Sequence, residues 1–124
     1  MFVYENHLGG LYASDDKLND DVLYCKVCGG SDWFIGEANT QGEGWELLKG
    51  MIDLNGQGGY DLKVIKGFIS DNFNSVGERV YLATYTVNGI IVARNRADAK
   101  LKTENEWDEL TDKSDFQSVS IKEI

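Results

Sequence analysis

The stretch Cys25-Lys26-Val27-Cys28-Gly29-Gly30 constrains this chain more than any other. It holds the only two cysteines, spaced like one knuckle of a zinc ribbon. Thiolates two residues apart and followed by glycine can both turn inward to meet one metal ion. A structural zinc site takes four ligands, and the sequence carries no second Cys pair. The missing ligands are expected from His7, the only histidine, from an Asp, or from a second copy of the chain, which would bring four thiolates to one ion. Two other readings stay open. A redox dithiol wants its first Cys at a helix N-terminus, where the dipole lowers the thiol pKa; here Gly29-Gly30 and a β-type stretch follow, which counts against it. The third reading is a turn with two small thiols and no chemistry.

The 124 residues suit one domain, spanning 1–124, with one core. Hydrophobic residues make up 42% and charged residues 27%, ordinary values for a globular protein. Fourteen Gly and no Pro mean that tight turns are built from Gly and Asn, which points to β-hairpins. The formal net charge of −9 repels nucleic-acid phosphate and anionic membrane at long range, so neither is an expected partner. Met1-Phe2-Val3-Tyr4-Glu5 runs into a charge, with no basic segment followed by an apolar run, so no signal peptide is expected. No apolar stretch has the length of a membrane span. The expected compartment is the cytoplasm, where thiols stay reduced.

Along the chain, Phe2-Val3-Tyr4 and Leu11-Tyr12 flank His7-Leu8-Gly9-Gly10 and predict a hairpin. Residues 14–21 are polar and read as a loop. Val22–Cys25 and Asp32–Ile35 predict a second hairpin with the knuckle at its tip. Thr40-Gln41-Gly42-Glu43 is a capping box, and Trp45, Leu48, Met51 and Ile52 continue at helical spacing, predicting a helix from about Gln41 to about Ile52. Residues 61–69 fit helix and strand alike; their Val and Ile content favours a strand. Val80–Val87, Asn88-Gly89 and Ile90–Ala93 predict a hairpin turning on Asn-Gly. Thr103-Glu104-Asn105-Glu106 is a second capping box, opening a helix with Trp107 and Leu110. Val119 and Ile121 predict a final edge strand. The fold class that follows is α+β: an antiparallel, hairpin-built sheet with one or two helices packed on one face.

Other motifs are weaker. Asp53, Asn55, Gln57 and Asp61 fall at calcium-loop positions 1, 3, 5 and 9, but position 12 is Val64 instead of a bidentate Glu. Gly56-Gln57-Gly58-Gly59 lacks the Gly-Lys-Ser/Thr of a phosphate loop. Arg94, Arg96, Lys100 and Lys102 form a basic cluster around Asp98, read as local charge compensation rather than a nucleic-acid patch. One His and no recognisable Ser/His/Asp or Cys/His spacing give nucleophilic catalysis little support.

The segment Leu23–Trp33, running on to Gly36 and the capped helix, resembles small uncharacterised proteins of Gram-positive bacteria and their phages or mobile elements. The resemblance covers about the first third of the chain, rests on the single knuckle, and implies an accessory protein. The functional expectation is a non-enzymatic, cytoplasmic interaction module with a protein partner, a zinc knuckle at Cys25, Cys28 and His7, and a homodimer as one way to complete the site. An acidic inhibitor that mimics nucleic acid and a small hydrolase with a carboxylate site are the rival readings.

Overall fold

The computed structural model describes residues 1–56, 58–84, 88–106 and 120–124. The described residues form an α+β fold with strands in two antiparallel sheets. In the first sheet, strands β1 (Phe2–Glu5) and β2 (Leu11–Ser14) make the expected hairpin, with Val3 opposite Ala13 and Tyr4 opposite Tyr12. Gly9 and Gly10 both take φ of +97°, which lets the chain reverse in a few residues. Strand β3 (Trp33–Glu37) joins the other edge of β1. The second sheet has the order β5-β4-β6, from β4 (Arg79–Thr84), β5 (Asn88–Ala93) and β6 (Ser120–Glu123). Strand β6 is the expected edge strand, with Ile121 buried.

Helices join and cover the sheets. Helix α2 (Gln41–Leu48) starts at the expected cap: the Thr40 hydroxyl oxygen accepts from the Glu43 amide at 3.2 Å. It tightens into a 3-10 turn over Lys49–Met51. Residues 61–69 are helical, not a strand: α3 spans Leu62–Asn72. Asp61 caps it by accepting from the Lys63 amide at 2.8 Å, and Ile65 and Ile69, four residues apart, are its buried face. The one main core therefore draws Val3 from the first sheet, Trp45 and Leu48 from α2, Ile65 and Ile69 from α3, and Val80, Ile90 and Val92 from the second sheet.

The second sheet is buried on both faces. Val80, Ile90 and Val92 face the main core, while Tyr81, Ala83, Ile91 and Ala93 pack with Ala99 of α4 (Arg96–Glu106) and Ile121 of β6. This explains why β4 and β5 read as continuous apolar runs instead of alternating with polar residues. Thr103 lies inside α4, where its buried hydroxyl donates to the Ala99 carbonyl at 2.8 Å; it is not the start of a new helix. Trp107, Leu110 and Val119 lie outside the described residues.

The β4–β5 hairpin forms, but Asn88-Gly89 is not its turn. Both residues sit in β5, with Asn88 opposite Thr84 and Gly89 opposite Ala83; residues 85–87 between the two strands lie outside the described residues. Tertiary hydrogen bonds claim Asn88. Its amide donates to Asn55 Oδ1 at 2.7 Å, and its side-chain Nδ2 donates to the Leu54 carbonyl at 2.9 Å. Among the described residues no helix is long and apolar enough to cross a membrane.

Candidate metal centre

The knuckle is built differently from the expected hairpin tip. Residues 20–23 form a short helix, α1 (Asp20–Leu23), whose Asn19 cap accepts from the Val22 amide at 3.2 Å. The polar run 14–21 thus ends in a helix start. Only one bridge, Tyr24 with Ser31, closes the loop beyond it. Within the loop the Cys25 amide donates to the Gly30 carbonyl at 2.8 Å and the Gly29 amide donates to the Cys25 carbonyl at 2.9 Å. Gly29 takes φ of +78°, a conformation most side chains resist.

The β1–β3 pairing then carries a third donor to the knuckle. Glu5 lies opposite Trp33, so the His7 turn after β1 runs beside Ser31 and Asp32 before β3. His7, Cys25 and Cys28 come together, with one ligand atom from each lying within 4.8 Å of the others. Tetrahedral zinc with sulfurs at about 2.3 Å spaces its ligands by about 3.8 Å, so no pair of donors has to close by more than about 1 Å. His7 and Cys25 are half-buried and Cys28 is exposed. Gly30 packs beside two of the ligands: a Cβ there would press on His7 Cδ2 at 3.3 Å and lie in ordinary contact with Cys28 Sγ at 3.5 Å.

Asp32 orders this cluster. Its Oδ1 accepts from the His7 backbone amide at 2.9 Å and contacts His7 Nδ1 at 2.6 Å; its Oδ2 accepts from the Tyr12 hydroxyl at 2.6 Å. With Nδ1 bound to the carboxylate, Nε2 is the ring nitrogen left to ligate, the arrangement by which outer carboxylates fix metal-binding histidines. The Tyr12 hydroxyl and then His7 hold Asp32 down to about 2. Burial, followed by the Asp32 bond, raises the Tyr12 pKa, so Tyr12 stays a donor. The Asp32 bond raises His7. Hydrogen bonding from the Cys28 backbone and thiol, then from the Val27 amide, draws Cys25 down to about 7. The loop thus stabilises a thiolate, the form that binds metal.

The rest of the first sheet steadies this end. Tyr4 stacks on Tyr12 with ring centroids 5.4 Å apart, which fixes the donor to Asp32. The Gly10 amide donates to Tyr60 Oη at 3.1 Å, and the Tyr60 hydroxyl donates to Glu5 at 2.7 Å, tying the His7 turn to the loop after α2.

All three donors singled out in the sequence therefore meet. Asp32 is the Asp beside them, but it holds His7 instead of offering an oxygen, since both its oxygens are engaged. Tyr12 carried no sequence signal; only the β1–β2 register brings it to Asp32. Within the basic cluster, Asp98 is paired with Arg94 and Lys102. Asp98 accepts from the Arg94 amide at 3.1 Å and lies 3.7 Å from Lys102 Nζ. At the opposite end of β3, Glu37, Glu43, Glu46 and Glu78 line an open depression with Lys102 beside them. The only histidine and both cysteines are at the knuckle, away from these carboxylates.

The chain matches no protein-family model, and no curated protein and no solved structure is significantly similar to it.

Proposed function

We propose that the chain is a non-enzymatic, cytoplasmic interaction module whose knuckle end is organised by one zinc ion bound to His7, Cys25 and Cys28. The observation that carries this reading is the convergence of the three donors on one point, with Asp32 turning the His7 ring. Two sulfurs and an imidazole are a donor set that suits zinc, and thiolate favours it over calcium or magnesium. The surroundings support a binding role. Leu8 and Val27, 82% and 96% exposed, flank the ligands, and Tyr24 and Trp33 are exposed close by. Apolar side chains grouped at a surface are characteristic of protein contact sites. The partner in this reading is a protein. Metal would fix the loop from which this rim projects, because metal-binding energy in such a loop is folding energy.

Native mass spectrometry of metal-free and zinc-supplemented protein tests the reading. The expected result is one zinc per chain, lost in Cys25→Ser, with a melting temperature that falls on chelation. Protein that takes up no zinc and melts identically with and without EDTA would overturn it.

A further inference from the structure

We infer that Cys25 and Cys28 form a reversible oxidation site for hydroperoxides, closing to a disulfide within the loop and expelling the bound ion. The oxidation site stands on the two thiols themselves; the expulsion rests on the zinc reading above.

The two cysteines are the only ones in the chain, and their sulfurs lie within 4.8 Å of each other. A disulfide bond is about 2.05 Å long, so the sulfurs close by no more than about 3 Å to form one. The loop can supply that movement without disturbing the fold. A single bridge, Tyr24 with Ser31, closes it, Val27 at its tip is exposed, and no residue from Cys25 to Ser31 belongs to either core. Access to the two sulfurs is unequal. Cys28 is exposed and Cys25 is half-buried beside His7, so an oxidant meets Cys28 first and Cys25 stands behind it as the resolving thiol. No helix dipole is needed to activate the pair, because a coordinating ion deprotonates its thiols outright. The Cys28 thiolate attacks one oxygen of the peroxide; the O–O bond breaks, hydroxide or alkoxide leaves, and Cys28 becomes a sulfenic acid. The Cys25 thiolate then attacks that sulfur, hydroxide leaves, and the S–S bond forms. Two electrons pass from the thiolates to the O–O bond, and the departing oxygens take protons from water. In the metal-free chain the two thiol protons leave with them. The ion loses both sulfur donors in one event. His7 alone remains, held on Asp32, and a single imidazole falls far short of the four ligands of a structural zinc site.

The test treats the full chain, zinc-loaded and metal-free, with one equivalent of hydrogen peroxide. It reads intact mass, free thiols and zinc captured by a chromogenic indicator. Both forms should lose two hydrogens per chain and both free thiols. The loaded form should release one zinc per disulfide, and dithiothreitol should restore the thiols and zinc binding. In Cys25→Ser, which lacks the resolving thiol, dimedone should trap a sulfenic acid on Cys28; if that variant fails to fold, mass and thiol count of the native chain decide. Peroxide that adds oxygen without closing a disulfide, or a disulfide that joins two chains, would overturn the inference while the metal reading stands. A loaded chain that keeps its zinc through disulfide formation, or that resists peroxide while the metal-free chain closes, would overturn the expulsion. A chain that closes the disulfide but takes up no zinc would overturn the metal reading and leave the oxidation site standing.

Discussion

The two sheets of this protein are held by different physics. The second is buried on both faces, with Val80, Ile90 and Val92 against one core and Tyr81, Ala83 and Ile91 against the other. The first buries Val3 and Tyr4, but its outer end consists of a glycine turn, a one-bridge loop and hydrogen bonds converging on Asp32. Apolar burial of about 25 cal/mol per Å² stabilises the former without regard to pH or ions. The latter depends on protonation and, in our reading, on metal. The lesson is that damage to the core should cost stability whether or not metal is bound, while damage to the knuckle should cost the site and only the share of stability that the ion and the Asp32 pairing supply.

The sharpest way to break that contrast is Leu48→Ala. Leu48 is fully buried between the sheets, and the truncation should cost about 2–5 kcal/mol in denaturant unfolding, equally with and without zinc. A loss that zinc largely repairs would show that the two regions are not separable.

Asp32→Asn should act in the opposite way. It should weaken zinc binding by roughly 10–100-fold in a competition titration while the core stays intact, because the carboxylate orients a ligand and is not one. It should also flatten the pH dependence of the metal-free protein. Asp32 is depressed from 3.8 to about 2, so its contribution is present above 3.8 and lost as pH falls through about 2. His7 is raised above 6.5, so its contribution is full below 6.5 and lost as pH rises through the folded value. The pair therefore favours the folded state most between about 4 and 6.5. Unfolding curves whose pH dependence is the same in the variant would contradict the pairing.

Two smaller effects sharpen the boundaries. Thr40→Ala should cost about 1 kcal/mol by removing the α2 cap, and amide exchange at Glu43 should quicken. Gly89→Val should change stability by no more than about 1 kcal/mol, because Gly89 is a strand residue opposite Ala83, where a β-branched side chain is favoured. A large loss there would return Asn88-Gly89 to the turn.

The α+β class, the first hairpin, the Thr40 cap and the three donor residues were legible because each rests on local chemistry: Gly-Gly for reversal, a hydroxyl before an apolar period, thiols two apart. What was not legible depended on distant partners. Asn88-Gly89 has strong turn preference, yet Asn55 and Leu54 hold Asn88 in a strand. Residues 62–69 satisfy both periods, and the Asp61 cap that decides for helix is a single side chain. Thr103 has the spacing of a cap but sits mid-helix, its hydroxyl turned back to Ala99. Around the knuckle, the sequence offers His7 as one candidate among several. The β1–β3 register selects it, and the same register turns Asp32 from a possible ligand into the group that aims the imidazole.

X-ray absorption at the zinc edge of the zinc-loaded chain tests the central claim most directly. The account predicts two sulfur ligands at about 2.3 Å and two nitrogen or oxygen ligands at about 2.0–2.1 Å, with one imidazole signature that disappears in His7→Ala. Four sulfurs around the ion, the signature of two chains sharing it, or an imidazole contribution unchanged by His7→Ala would contradict it.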